Sequence, residues 1–109
     1  MTANLDMLVA AISDQTRRAI IDQLAHGPAR ISDIVPPVSM SLTGLCKHVR
    51  ILERAGLVQR THSGRENTLR LTAEPLGEVA RWVFQYESFW NVRLDRLENF
   101  FRAKQEKSK

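Results

Sequence analysis

Apolar residues recur at helical spacing from the start of the chain. Leu5, Leu8, Val9 and Ile12 fall on one stripe and predict a first helix ending near Ser13. Asp14 is a side-chain acceptor placed to cap a second helix through QTRRAIIDQLAHG, with Ile20, Ile21 and Leu24 turned inward and Gly27–Pro28 as its stop. The stretch ISDIV predicts a short third helix from about Arg30, halted by Pro36 and Pro37, because proline cannot continue a helix. Ser41 then caps a fourth helix to about Ala55, closed by Gly56. Two strand candidates follow, LVQRTH and NTLRLT, separated by the turn-rich tip SGRE. Glu74 and Pro75 open a long helix expected to reach about Ala103, with Lys104 to Lys109 as a frayed polar tail. The fold class expected is therefore mainly α with a β-hairpin wing: a winged helix-turn-helix with a long C-terminal helix.

The fourth helix carries the densest pattern. Leu42, Leu45, Val49 and Leu52 form one stripe, spaced to pack on the preceding helix, while Thr43, Lys47, Arg50 and Arg54 lie on the opposite face. Gly44 leaves room for a close approach near the N-terminus, Cys46 and His48 sit on the two flanks, and Ile51 is an apolar residue on the polar side without an assignment. One face packs and the other offers hydroxyl and cationic groups. A helix that reads the major groove of DNA needs this division: bases to hold phosphates, short side chains to touch base edges. Periodicity alone equally fits a solvated surface helix.

Charge changes that balance. Residues 41–70 hold six bases (Lys47, Arg50, Arg54, Arg60, Arg65, Arg70) and two acids (Glu53, Glu66), a local +4 equal to the formal net charge of the whole chain. The other residues carry ten bases and ten acids, so the entire excess lies in one continuous segment. That is the electrostatic footprint of a phosphate-binding surface.

Composition sets outer bounds. At 109 residues, 43% hydrophobic and 26% charged, the chain is expected to form a single soluble domain around one modest core. No signal pattern and no apolar run near ~20 residues points to a membrane. One cysteine, Cys46, excludes an internal disulfide, and a reduced cytosol, bacterial or archaeal and nucleoid-associated, is the expected location. No glycine-rich phosphate loop, nucleophile elbow or paired-carboxylate motif stands out, and Cys46 and His48 diverge on their helix, so neither an enzyme nor a cofactor is expected. The alternative to DNA binding is a protein-interaction module on the same fold, which a neutral or acidic face would have favoured.

DQTRRAIIDQLAHGP, MSLTGLCKHVRILERAGLVQR and GRENTLRLT together resemble the ArsR family of small dimeric winged-helix transcriptional repressors, in order and over nearly the whole chain. The resemblance implies a sequence-specific regulator of double-stranded DNA, most simply a homodimeric repressor on an inverted-repeat operator, reading through helix 41–55 and wing 57–71. It implies that Ser41, Thr43, Gly44, Cys46, Lys47 and His48 face DNA and that Arg65 is the wing-tip base, beside the Arg50 and Arg54 already placed by periodicity. Residues 14–72 become the DNA-binding core, and 1–13 and 74–103 the dimerisation helices. WVFQYESFW and LDRLENFF are similar to a branch with a tryptophan-bearing last helix that is not typified by metal sensing. Metal-sensing members carry a cysteine pair on the third helix or Asp and His ligands on the last. Ile31 to Val35 holds no Cys or His, nor does the chain from Glu74 onward, so no metal site is expected and the effector is left open.

Several residues carry two readings. Cys46 is read as a small base-edge contact before a redox switch, although Lys47 and the helix N-terminus favour its thiolate. His48 serves either a phosphate or a hydrogen bond within the fold. Arg17 is read as a structural salt-bridge partner. Trp82, Tyr86, Phe89 and Trp90 are read as core or interface rather than an effector pocket. Leu76, Ala80, Val83, Glu87, Trp90, Leu94, Leu97 and Phe101 recur at alternating spacings of four and three. That heptad-like stripe, broken by Glu87, is too long to be covered by the small winged core. The expected dimer interface is Leu5, Leu8 and Ile12 of the first helix with Val83, Trp90, Leu94, Leu97 and Phe101 of the last.

Overall fold

The computed structural model describes the backbone of residues 2–107 and the side chains of 4–90 and 96–104. In order come α1 (Thr2–Ile12), α2 (Gln15–Leu24), β1 (Ala29–Arg30), a 3-10 turn (Ile31–Asp33), α3 (Leu42–Arg54), β2 (Val58–Ser63), β3 (Glu66–Leu71), α4 (Leu76–Phe84) and α5 (Glu87–Lys107).

The joint between α1 and α2 is built on unsatisfied helix ends. The last carbonyls of a helix have no partner within it and carry partial negative charge. Here Ser13 Oγ and Arg17 donate to Ala10 O, Arg17 Nε donates to Ala11 O at 2.6 Å, and Arg18 donates to Ile12 O at 2.9 Å. Asp14 caps α2 as its sequence position predicts, its carboxylate accepting from the Arg17 amide at 3.1 Å.

The third helix expected from Arg30 is corrected to a single 3-10 turn preceded by a strand. Ala29 and Arg30 are drawn into the sheet opposite Leu69 and Thr68, and the two prolines at 36 and 37 leave too few residues to complete an α-helix. Gln23 fastens the segment, its amide both donating to Val35 O and accepting from Val35 N.

Ser41 caps α3, its Oγ accepting from Gly44 N at 3.1 Å. The far end closes in a Schellman pattern: Leu57 N donates to Leu52 O and Gly56 N to Glu53 O, with Gly56 at φ +79°. The turn delivers Leu57 and Val58 into the core and starts the wing. The β2–β3 hairpin pairs Val58 with Leu71 through Ser63 with Glu66, leaving a two-residue tip, Gly64–Arg65. Gly64 takes φ +64° while Arg65 does not go positive, the type II′ pattern that asks for glycine at the first tip position. β1 completes a three-stranded antiparallel sheet ordered β1-β3-β2.

The core is Leu8 and Ala11 of α1, Ile20 and Leu24 of α2, Ile34, Leu45, Val49 and Leu52 of α3, Leu57, Val58 and Leu69. Two expectations about it are corrected. On α1, Leu8 is only 2% exposed and Ile12 packs on the core, so the stripe assigned to a partner is the one the domain buries for itself; Met7 and Val9 face out instead. On α3, Leu42 is exposed, unlike Leu45, Val49 and Leu52.

The chain divides between Val79 and Ala80 into two compact units. The first unit takes in Leu76 and Val79, packed against the core. In the second, the long last helix is broken. Tyr86 N donates to Val83 O at 3.1 Å and Trp90 Nε1 reaches the same carbonyl at 3.2 Å, so the acceptor that would bond residue 87 in a continuous helix is taken twice over. α5 then continues to Lys107, so the expected frayed tail is helical as far as the described residues run. No described helix is long and apolar enough to cross a membrane.

Candidate nucleic-acid interface

The helical frame of α3 turns Thr43, Lys47, Arg50 and Arg54 outward, all exposed, with Cys46 half-buried between that face and the core stripe. The wing holds Arg65 exposed at its tip and Arg70 exposed along β3. Both acids of the 41–70 segment are neutralised. Glu53 pairs with Arg60 at 2.8 Å, and Glu66 pairs at 3.0 Å with Arg30, which reaches across from β1 and also holds Asp33. Among the described residues Lys47, Arg50, Arg54, Arg65 and Arg70 have no ion-pair partner. These five cations lie on the outer face of α3 and on the wing, free to meet an external anion.

Ser41 is exposed, but one lone pair of its hydroxyl is committed to the cap. Gly44 is half-buried, and a Cβ built there would face Ser41 Oγ at 3.4 Å, an ordinary contact, so its missing side chain opens toward the cap. His48 is turned inward at one nitrogen: Nδ1 lies 3.0 Å from Arg17 Nη1 and 3.7 Å from Asp14 Oδ2. The reading of His48 as a hydrogen-bonded part of the fold therefore holds for Nδ1. Arg17 is structural as expected, but through carbonyls and an imidazole rather than a carboxylate. Burial pushes the Asp14 carboxyl up; the Arg17 amide and the Arg17 charge outweigh this and hold it below its ordinary value.

Three features are missed by sequence reasoning. Leu42 borders two recesses, one of about 290 Å³ with Thr43, Cys46, Lys47 and Arg50, and one of about 270 Å³ that includes Arg65 and Asn67 of the wing. Arg30 serves the wing from outside the counted segment. Asn67 Oδ1 is buried with no hydrogen-bond partner among the described residues. None of the three had a signal in the sequence: Arg30 reads as the start of a helix, and its partner Glu66 lies 36 residues away.

Among the described residues no three His, Cys, Asp or Glu side chains converge as a metal site would require. Of the expected interface residues, Val83, Leu97 and Phe101 are exposed, Trp90 and Leu5 are half-buried, and the Leu94 side chain lies outside the described residues. Trp82, Tyr86 and Phe89 are exposed too, which removes the core reading for them.

A family model described as "Bacterial regulatory protein, arsR family" matches residues 14–60. The chain is 31% identical over 84 residues to the HTH-type transcriptional regulator Rv2034 of Mycobacterium tuberculosis, covering 77% of this chain and 76% of that protein. It is similar to the crystal structure of the ArsR family transcriptional regulator RHA00566, with TM-score 0.75 and 31% identity over 84% of this chain and 94% of that one. The solution structure of the homodimeric winged helix-turn-helix DNA-binding domain of Mb0332 from Mycobacterium bovis matches with TM-score 0.63 and 22% identity, over 84% and 83% of the two chains.

Proposed function

The chain belongs to the ArsR family of bacterial transcriptional regulators and has its DNA-binding winged helix-turn-helix fold; from that premise we propose that it is a homodimeric repressor of an inverted-repeat operator. In this reading α3 lies in the major groove and the wing follows the backbone. The observation that carries it is the pairing of both segment acids, which leaves five cations on the helix and wing with no ion-pair partner among the described residues. Fixed cations without internal partners gain most from phosphates, because each one bound there releases a counterion. Lys47, Arg50 and Arg65 serve as phosphate holders, with Thr43 as a base-edge reader. Ser41 and His48 retain one group each for DNA, the hydroxyl proton and Nε2.

Pairing is assigned to the second unit, whose Val83, Leu97, Phe100 and Phe101 are exposed. Apolar faces of this extent mark an interface, and a two-fold dimer presents two α3 helices about one helical turn, ~34 Å, apart. Mb0332 is described as homodimeric, in line with this assignment. Repression follows from occupancy: a small dimer seated across a promoter excludes polymerase without contacting it. Footprinting on DNA upstream of the chain's own coding region tests the proposal. Two protected half-sites related by a dyad are expected; a single asymmetric patch, or none above the level of unrelated DNA, would overturn it.

A further inference from the structure

Leu42 departs from its own stripe: it is 59% exposed, whereas Leu45, Val49 and Leu52 are buried. Its place explains this. It is the first residue of α3, and the buried positions begin one turn later at Leu45. A lone exposed leucine means little. Its surroundings give it meaning. Leu42, Thr43, Cys46, Lys47 and Arg50 together line the recess of about 290 Å³, and Lys47 and Arg50 have no acid partner among the described residues.

A recess lined by Leu42, Thr43 and Cys46 beside two cations fits a ligand that carries an apolar group next to anionic ones. The major groove offers one such group, because the only apolar substituent on a base edge there is the C5-methyl of thymine, set between phosphate rails. The N-terminal residues of a recognition helix are those that reach base edges. We infer that Leu42, with Thr43 and Cys46, reads a thymine methyl group and is the main specificity-determining residue of α3. The inference rests on α3 being the groove-reading helix. It assigns the Cys46 thiol an apolar contact, and it gives Lys47 and Arg50 the task of holding the backbone on either side.

The test uses the full-length protein and a duplex that it enriches from a random-sequence pool. Each thymine of one half-site is replaced in turn by uracil, which removes the methyl and leaves every hydrogen-bonding group in place. Wild type is expected to lose about fourfold in affinity at one thymine, the value of one buried methyl. Leu42→Ala, checked by its melting curve to be folded, is changed in both subunits, so it should bind the thymine duplex about as weakly as wild type binds a duplex with uracil at that position in both half-sites, and should not distinguish thymine from uracil. Lys47→Ala should bind both more weakly and keep the distinction. A clear consensus combined with uracil tolerated at every position, or a Leu42→Ala variant that still prefers thymine, overturns the methyl reading and leaves groove reading by α3 intact. Failure to enrich any duplex overturns both.

Discussion

Arg17 Nη1 and His48 Nδ1, 31 residues apart in the chain, lie 3.0 Å from each other. A guanidinium has only donors, so in this contact Nδ1 accepts and the ring proton sits on Nε2. The same guanidinium donates to Ala10 O and Ala11 O. One side chain thus ties the end of α1 to the flank of α3 and sets the tautomer of a histidine beside the exposed cationic face of α3.

Arg17→Ala removes all of these bonds and leaves Ala11 O and the ring nitrogen without this donor, while Ala10 O keeps Ser13. A loss of about 1.5–3 kcal/mol is expected in denaturant unfolding, the range for hydrogen bonds to a charged group. Nitrogen-15 shifts of His48 should report the Nε2–H tautomer in wild type and a mixture in the variant. Equal tautomer populations in both proteins would contradict the assignment.

Asp14 separates cap from charge. Asp14→Ala is expected to cost about 1 kcal/mol, the usual value of an N-cap. Asp14→Asn keeps the capping oxygen and loses only the charge. The folded carboxyl sits below its ordinary 3.8, despite burial, because the Arg17 amide and the Arg17 charge favour its ionised form. A depressed folded value means that the stabilisation is present above 3.8 and is lost as pH falls through the folded value. The stability gap between wild type and Asp14→Asn should therefore be constant near neutrality and close in acid. A gap that opens on acidification would have the wrong sign.

Gly44→Ala should stabilise. The new Cβ meets Ser41 Oγ at 3.4 Å, a normal contact, and alanine is better than glycine within a helix by about 0.5–1 kcal/mol. A raised melting temperature with unchanged operator affinity is expected. Weakened binding at unchanged fold would return Gly44 to the DNA surface as a point of close approach.

A Val83→Asp, Leu97→Asp double variant should sediment as a folded monomer, since both side chains are exposed within one chain. Operator affinity should fall steeply with the loss of the second reading head. A variant that remains dimeric would place the interface elsewhere.

Much of the fold was legible because its determinants are local. Asp14 and Ser41 announce their helices within three residues, Gly56 ends α3, and Gly64 fixes the wing tip. What was not legible depends on distant partners. On α1, Leu5 and the run Met7 to Ile12 are apolar nearly all round, so composition cannot tell which side the domain buries, and Leu8 was assigned outward. Leu42 follows the helical period into a region where the packing partner has ended. β1 is two residues long and exists only because β3 pairs with it. The break before α5 contains neither proline nor glycine; it arises where the Trp90 indole captures the Val83 carbonyl. The cationic face was visible as a count, but its freedom from internal partners was not, because the Arg30–Glu66 pair spans 36 residues.

The central claim, that α3 and the wing hold phosphates, is tested most directly by the salt dependence of operator binding. Each neutralised phosphate contributes about −0.9 to the slope of log affinity against log salt. Lys47→Ala and Arg65→Ala should each make the slope shallower by about 1.8, because a dimer loses two phosphate contacts. Slopes identical to wild type in both variants would contradict the account.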